Sequence, residues 1–125
     1  MKRKIKFRVW DYKNEVMYNP EDIGIKPLTD RTSQLTISSE GIFIRPDNEM
    51  FELMQFTGLY DVNGKEIYEG DILGNDFIRA EVIFEDGAFQ LKTNIYQGTS
   101  HLSQMRSEKL KKEGNRFDNP ELLKL

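Results

Sequence analysis

Glycine cuts the middle of this chain into short pieces. Gly58, Gly64, Gly70, Gly74 and Gly87 all fall between about Leu53 and Ile95, and the runs between them are rich in β-branched and aromatic residues. Alanine, the strongest helix former, occurs only at Ala80 and Ala88. That balance favours strands over helices. Five short strands that each end at glycine or Asn-Gly can bend and close on one another, which predicts a mainly β fold with a small SH3-like barrel over about residues 52–95.

The turn residues set the expected registers. A two-residue Asn-Gly turn within Asp61-Val62-Asn63-Gly64 places Asp61 opposite Glu66, a like-charge pair that costs stability. A type I turn with Asp61 first and Gly64 in the left-handed conformation instead pairs Asp61 with Lys65 and Leu59 with Ile67. Gly70 and Asp71 break the chain again, Ile72-Leu73 resumes it, and Gly74-Asn75-Asp76 turns it once more. Asp86-Gly87 is a two-residue loop joining two alternating strands within Phe77 to Thr93. Its register sets Phe84 against Phe89 and Val82 against Leu91 on one buried face, with Glu81 against Lys92 and Ile83 against Gln90 on the other.

Outside this middle, the first strand candidate runs from Ile5 to Trp10 and alternates strictly. Ile5, Phe7 and Val9 point to a core, while Lys4, Lys6, Arg8 and Trp10 point to water. Asp11 to Leu35 reads as loop with a short strand near Val16 to Tyr18, because Asn19-Pro20 and Lys26-Pro27 punctuate it. Leu35 to Ile37 and Gly41 to Ile44 form a hairpin about Ser38-Ser39-Glu40. Beyond Ser103 the composition turns to Met, Leu, Lys and Glu, which predicts a helix from Ser103 to Lys112 stopped by Gly114. A second short helix starts with Asn119 as cap, Pro120 first and Glu121 in the opening turn, and docks through Leu122, Leu123 and Leu125. The expected organisation is one domain: residues 1–50 as strands and loops on the barrel, 52–95 as the barrel, and 101–125 as a helical segment.

Composition narrows the chemistry. The chain of 125 residues has no Cys and only His101, which removes thiolate zinc sites, cysteine nucleophiles and His pairs together. No apolar stretch is long enough to span a membrane. The basic opening Met1-Lys2-Arg3-Lys4 lacks the apolar segment of an export signal, so the cytoplasm is the expected compartment.

At three places the chain resembles the YopX family, small proteins encoded by phages and prophages. Ile5-Lys6-Phe7-Arg8-Val9-Trp10-Asp11 is similar to the family's first strand, with Val9 standing where Ala is expected. Met54-Gln55-Phe56-Thr57-Gly58-Leu59, Asp61 and the run Asn63-Gly64-Lys65-Glu66-Ile67-Tyr68-Glu69-Gly70-Asp71-Ile72 resemble its most specific signature. Gly114-Asn115 and Asp118-Asn119-Pro120-Glu121-Leu122-Leu123 resemble its closing segment. The resemblance implies an SH3-like barrel and a phage setting, and it brings no catalytic residues and no cofactor.

Three constellations remain. Lys4, Lys6 and Arg8 beside Trp10 could neutralise phosphates and stack a base, which makes the first-strand face a nucleic-acid-binding candidate; the competing reading is a solvated strand face. Glu66, Glu69, Asp71 and Asp76 could hold Mg²⁺, but turn chemistry explains Asp71 more simply, and no metal is expected. Residues 1–13 hold six basic and one acidic residue, whereas residues 47–76 hold eight acidic and one basic. Blocks of opposite sign can meet within one subunit or between subunits. The function expected is therefore a non-enzymatic accessory module that binds a phage or host protein or assembles with itself, with nucleic-acid binding as the alternative.

Overall fold

The structure, a computed structural model, describes residues 4–27, 33–37, 42–44, 48–93, 99–101 and 109–124. These form antiparallel strands joined by turns, so the mainly β expectation holds. The chain makes two compact units, one of Ile5–Gln55 and one built on Phe56–Leu125.

In the first unit, β1 (Phe7–Asp11) lies between β2 (Val16–Tyr18) and the opening half of β6 (Phe51–Tyr60), with Val9 opposite both Tyr18 and Leu53. Val9 has no exposed surface and packs with Tyr18, Ile23, Phe51 and Leu53. Asp11 closes the β1–β2 turn: its carboxylate accepts hydrogen bonds from the amides of Lys13 at 3.0 Å and Asn14 at 3.1 Å and from the Asn14 side chain at 2.8 Å. After a 3-10 turn at Pro20–Asp22 come β3 (Ile23–Pro27), β4 (Ser33–Ile37) and β5 (Ile42–Ile44), an antiparallel sheet in that order. The β4–β5 pairing is the hairpin expected from Leu35 to Ile44, and β2 is the short strand expected near Val16 to Tyr18. The strand β3 corrects the loop reading. Gly24 and Pro27 hide it in sequence, yet Pro27 is its last residue, where a missing N–H costs little.

In the second unit the rest of β6 pairs with β7 (Glu66–Tyr68), and a five-stranded sheet has the order β11-β10-β9-β8-β12. Its members are β8 (Asp71–Gly74), β9 (Arg79–Glu85), β10 (Ala88–Thr93), β11 (Thr99–His101) and β12 (Lys111–Asn115). Ile67, Leu73, Ala80, Val82, Leu91 and Leu110 form its buried core, with Leu59 and Phe89 packed against them. All the strands expected over residues 52–95 are present. However, the sheet recruits β11 and β12 from beyond that range, and no strand pair among the described residues closes it into the SH3-like barrel expected.

The turns largely follow their chemistry. Gly64 has φ +79° and its N–H donates to the Asp61 carbonyl at 3.0 Å, while the Asp61 N–H donates to Lys65, as a bulged type I turn requires. Tyr60 lies opposite Glu66, the register in which Leu59 is expected opposite Ile67, and Leu59 packs against the core that contains Ile67. The register shifts between the Tyr60–Glu66 and Phe56–Tyr68 pairs, because the Thr57–Gly58 step bulges. Thr57 covers that bulge with its hydroxyl, which donates to the Ile67 carbonyl at 2.8 Å and accepts from the Leu59 amide at 3.1 Å. Asp86 and Gly87 turn the β9–β10 hairpin in the expected register, Phe84 opposite Phe89 and Val82 opposite Leu91.

Three expectations fail here for physical reasons. Phe84 is 53% exposed, because it stands beside the hairpin tip beyond the reach of the core, and it stacks edge-on against Phe89 at 5.1 Å between ring centres. Phe84→Ala is therefore expected to cost about 1 kcal/mol, against about 2–5 kcal/mol for Leu91→Ala in the core. Equal losses in chemical denaturation would contradict this burial pattern. The helix expected from Ser103 to Lys112 ends instead in an extended segment, with Lys111 and Lys112 paired to Gly74 and Leu73; residues 102–108 lie outside the described ones. Helix propensity loses here to tertiary bonding. Gly114 belongs to this strand rather than to a helix stop, since a Cβ there would collide with the Asn119 side chain. At Pro120–Leu123 the expected second helix is a single 3-10 turn.

Candidate functional site

The first-strand face does not stand open. Lys4 is exposed and Lys6 half-buried, but Arg8 and Trp10 retain only 5% and 6% of their surface, and Asp11 is buried as well. Ile5, expected in the core, lies ahead of β1 and is 57% exposed. The alternation misleads because Arg and Trp bring long apolar surfaces and can be buried on a strand's second face. A base cannot stack on a ring that is covered, so of the expected face of Lys4, Lys6, Arg8 and Trp10 the exposure of Arg8 and Trp10 is corrected to burial.

The turn residues converge instead on β12. Asp61 is buried, and its carboxylate accepts from the amides of Asn63 and Lys65, each at 2.8 Å, and from the amide of Lys112 at 2.9 Å. Burial pushes this carboxyl up, but the backbone donors of Lys112, Lys65 and Asn63, with the charge of Lys65, outweigh that and hold it below its ordinary range. One side chain thus shapes a turn and grips a strand far along the chain. The Val62 amide adds a bond to the Leu110 carbonyl at 2.9 Å.

Asp71 takes the other side of the same strand. It has no exposed surface, accepts from the Tyr68 amide at 2.7 Å and pairs with the Lys112 ammonium at 3.1 Å. That ammonium also donates to the Glu66 carbonyl at 3.3 Å and sits 5.9 Å from the centre of the Tyr68 ring. Gly70 completes the clasp: its N–H donates to Val82 and its carbonyl accepts from Arg116, both at 2.8 Å. Lys112 is the residue that sequence reading missed. It carried no signal, since its value depends on Asp61 and Asp71 being brought to it by the sheet.

The carboxylates weighed for a metal are thus dispersed or already committed. Asp71 is held by a turn amide and a lysine, Asp76 is exposed on the β8–β9 turn, and among the described residues no three His, Cys, Asp or Glu side chains gather at a point. The backbone of His101 pairs with that of Gln90, while its side chain is outside the described set.

Two surface features have no part in this bonding. A half-open groove of about 290 Å³ in the first unit is lined by Ile5, Lys6, Phe7, Pro20 and Ile23. In the second unit Phe77 is 85% exposed at the tip of the β8–β9 turn, the most exposed large apolar side chain among the described residues.

The chain is similar to known proteins over nearly its whole length. The family described as YopX protein matches residues 6–124. Among solved structures, protein EF1440 from Enterococcus faecalis is similar over 98% of this chain and 100% of its own, with 27% identity and a TM-score of 0.63. YopX from Bacillus subtilis is similar in fold over 95% of this chain and 98% of its own, with 23% identity and a TM-score of 0.65. No curated protein matches.

Proposed function

The chain belongs to the YopX family, and from that membership we propose that it is a non-enzymatic phage or prophage accessory protein, a β-sheet module that assembles with copies of itself. The observation that carries the reading is the apolar surface left in water on turns and strand ends, where Phe77 and Phe84 stand with Ile5 and Val62. Isolated exposed apolar residues are ordinary, but aromatic rings held on rigid turns are typical anchors of protein interfaces. In the same molecule, Asp71, one of the four carboxylates that a hydrolytic mechanism would draw on, is engaged by the Tyr68 amide and Lys112. The uneven charge along the sequence adds a means of steering copies together. The host cytoplasm is the compartment this reading implies. No helix among the described residues is long and apolar enough to cross a membrane.

The nucleic-acid alternative is the weaker reading, since Trp10 is covered. For the leading one, sedimentation velocity is the direct measurement. The protein is expected to sediment as a species larger than the monomer at micromolar concentration, and to shift toward monomer on dilution and in high salt. A monomer at every concentration would remove the self-assembly reading.

A further inference from the structure

Asparagine side chains tie several turns of this chain. Those of Asn14, Asn48, Asn75, Asn115 and Asn119 each bond to a nearby amide or carboxylate. Asn63 differs. In its turn the aspartate does that work, with Oδ1 of Asp61 accepting from the amides of both Asn63 and Lys65 at 2.8 Å, and Asn63 stands exposed. It is also the sole asparagine of the chain followed by glycine. Gly64 has no side chain to shield its nitrogen, and a Cβ built there would meet nothing within 4 Å, so the peptide that joins the two is open to water.

An exposed Asn-Gly peptide carries its own reaction. The Gly64 amide nitrogen, having given its proton to hydroxide, attacks the side-chain carbonyl carbon of Asn63. A C–N bond forms, the carboxamide nitrogen leaves as ammonia, and a succinimide ring results. Water then opens the ring. Attack at the side-chain carbonyl gives aspartate, and attack at the main-chain carbonyl gives isoaspartate, in which the chain runs through the side-chain carbon. The net change is water consumed and ammonia released. The fold restrains the first step, because the Gly64 N–H donates to the Asp61 carbonyl at 3.0 Å and the amides on either side of it are held by the Asp61 carboxylate. Attack therefore waits on local opening of the turn.

We propose that Asn63-Gly64 is a site of spontaneous deamidation gated by Asp61, and that its isoaspartyl product releases β12. Either product sets a new carboxylate beside a buried one. Isoaspartate does more, since it adds a backbone carbon between two amides that must reach the same oxygen. With the hold on Oδ1 broken, the carboxylate loses its anchor, and its other oxygen, Oδ2, is the one that accepts from the Lys112 amide at 2.9 Å. A chemical change in an exposed turn is thereby passed to a strand far along the chain.

The test ages the full chain in mildly alkaline buffer, follows isoaspartate by enzymatic methylation of its free carboxylate and locates it by peptide mass spectrometry. The same chain unfolded in urea supplies the unrestrained rate. Isoaspartate is expected at residue 63 of the folded protein, formed at least about tenfold more slowly than in urea. Asp61→Ala is expected to remove most of that protection. Leu91→Ala, which weakens the core and leaves the bonds of the turn in place, is expected to keep it. In the aged protein, amide exchange at Lys112 is expected to quicken about tenfold, the factor that corresponds to one lost charge-assisted hydrogen bond. Asn63→Asp, which adds the charge without the extra backbone carbon, is expected to quicken it less. A folded chain that gains no isoaspartate at residue 63 while the unfolded chain does would overturn the site. Equal acceleration by Asp61→Ala and Leu91→Ala would overturn the gate, and unchanged Lys112 exchange in the aged protein would overturn the release of β12.

Discussion

Lys112→Met is expected to lower the unfolding free energy by about 3–5 kcal/mol, the loss typical of removing one partner from a buried ion pair. Methionine keeps most of the apolar stem of lysine, so the change isolates the ammonium. What remains is the carboxylate of Asp71, with no exposed surface and its cation gone from 3.1 Å away. Pairing the change with Asp71→Asn is expected to recover much of the loss, since Asn can still accept the Tyr68 N–H and no longer carries a charge to bury. A double-mutant cycle read from urea midpoints gives the coupling directly. A loss below about 1 kcal/mol for Lys112→Met, the size found for exposed pairs, would show that Asp71 is effectively solvated.

Asp61→Ala is expected to cost about 2–4 kcal/mol, because three main-chain donors lose their acceptor at once. The amides of Asn63 and Lys65 lie on an exposed turn and can turn to water, so most of the cost falls on the tie to Lys112. The effect should depend on pH. The folded carboxyl is held below its unfolded value, so its contribution is fully present above the unfolded value of about 3.9 and is lost as pH falls through the folded one. Stability of the wild type is thus expected to fall below about pH 4, and that of Asp61→Ala to fall less steeply. Some acid sensitivity remains in the variant. Burial also pushes the Asp11 carboxyl up, but its bonds to Asn14 and Lys13 outweigh this and hold it low, so it titrates in the same window. Parallel acid profiles for wild type and variant would place the acid-labile group elsewhere.

What could be read from sequence was what local chemistry decides. Asp86-Gly87 announces a tight hairpin because few residue pairs accept positive φ in succession, and Asp61 with Gly64 announces its turn because the competing register sets like charges face to face. Those features needed no knowledge of distant residues. The errors share the opposite property. β12 looks helical until Asp61 and Asp71 supply acceptors that its own segment lacks. β3 looks like loop until β4 pairs with it, and Trp10 looks wet until the second face of β1 is covered. Phe84 alternates faultlessly with Val82 yet outruns the core, because alternation tells which face a residue takes and not how far along the strand the cover extends. The clasp on Lys112 is illegible for the same reason as β12 itself.

The length of chain spanned by that clasp also has a kinetic consequence. The Lys112 amide reaches back 51 residues to Asp61, and its ammonium 46 residues to Glu66, whereas β9 and β10 meet across Asp86 and Gly87 alone. Loop closure over the long span has to be met before any of those bonds can form. The hairpin is therefore expected to assemble early, and β12 to dock after the folding barrier has been crossed. Interactions absent from the barrier act almost wholly on the rate of escape from the native state. Asp61, Asp71 and Lys112 are thus expected to set how long the folded molecule lasts, and the hairpin how soon it is reached.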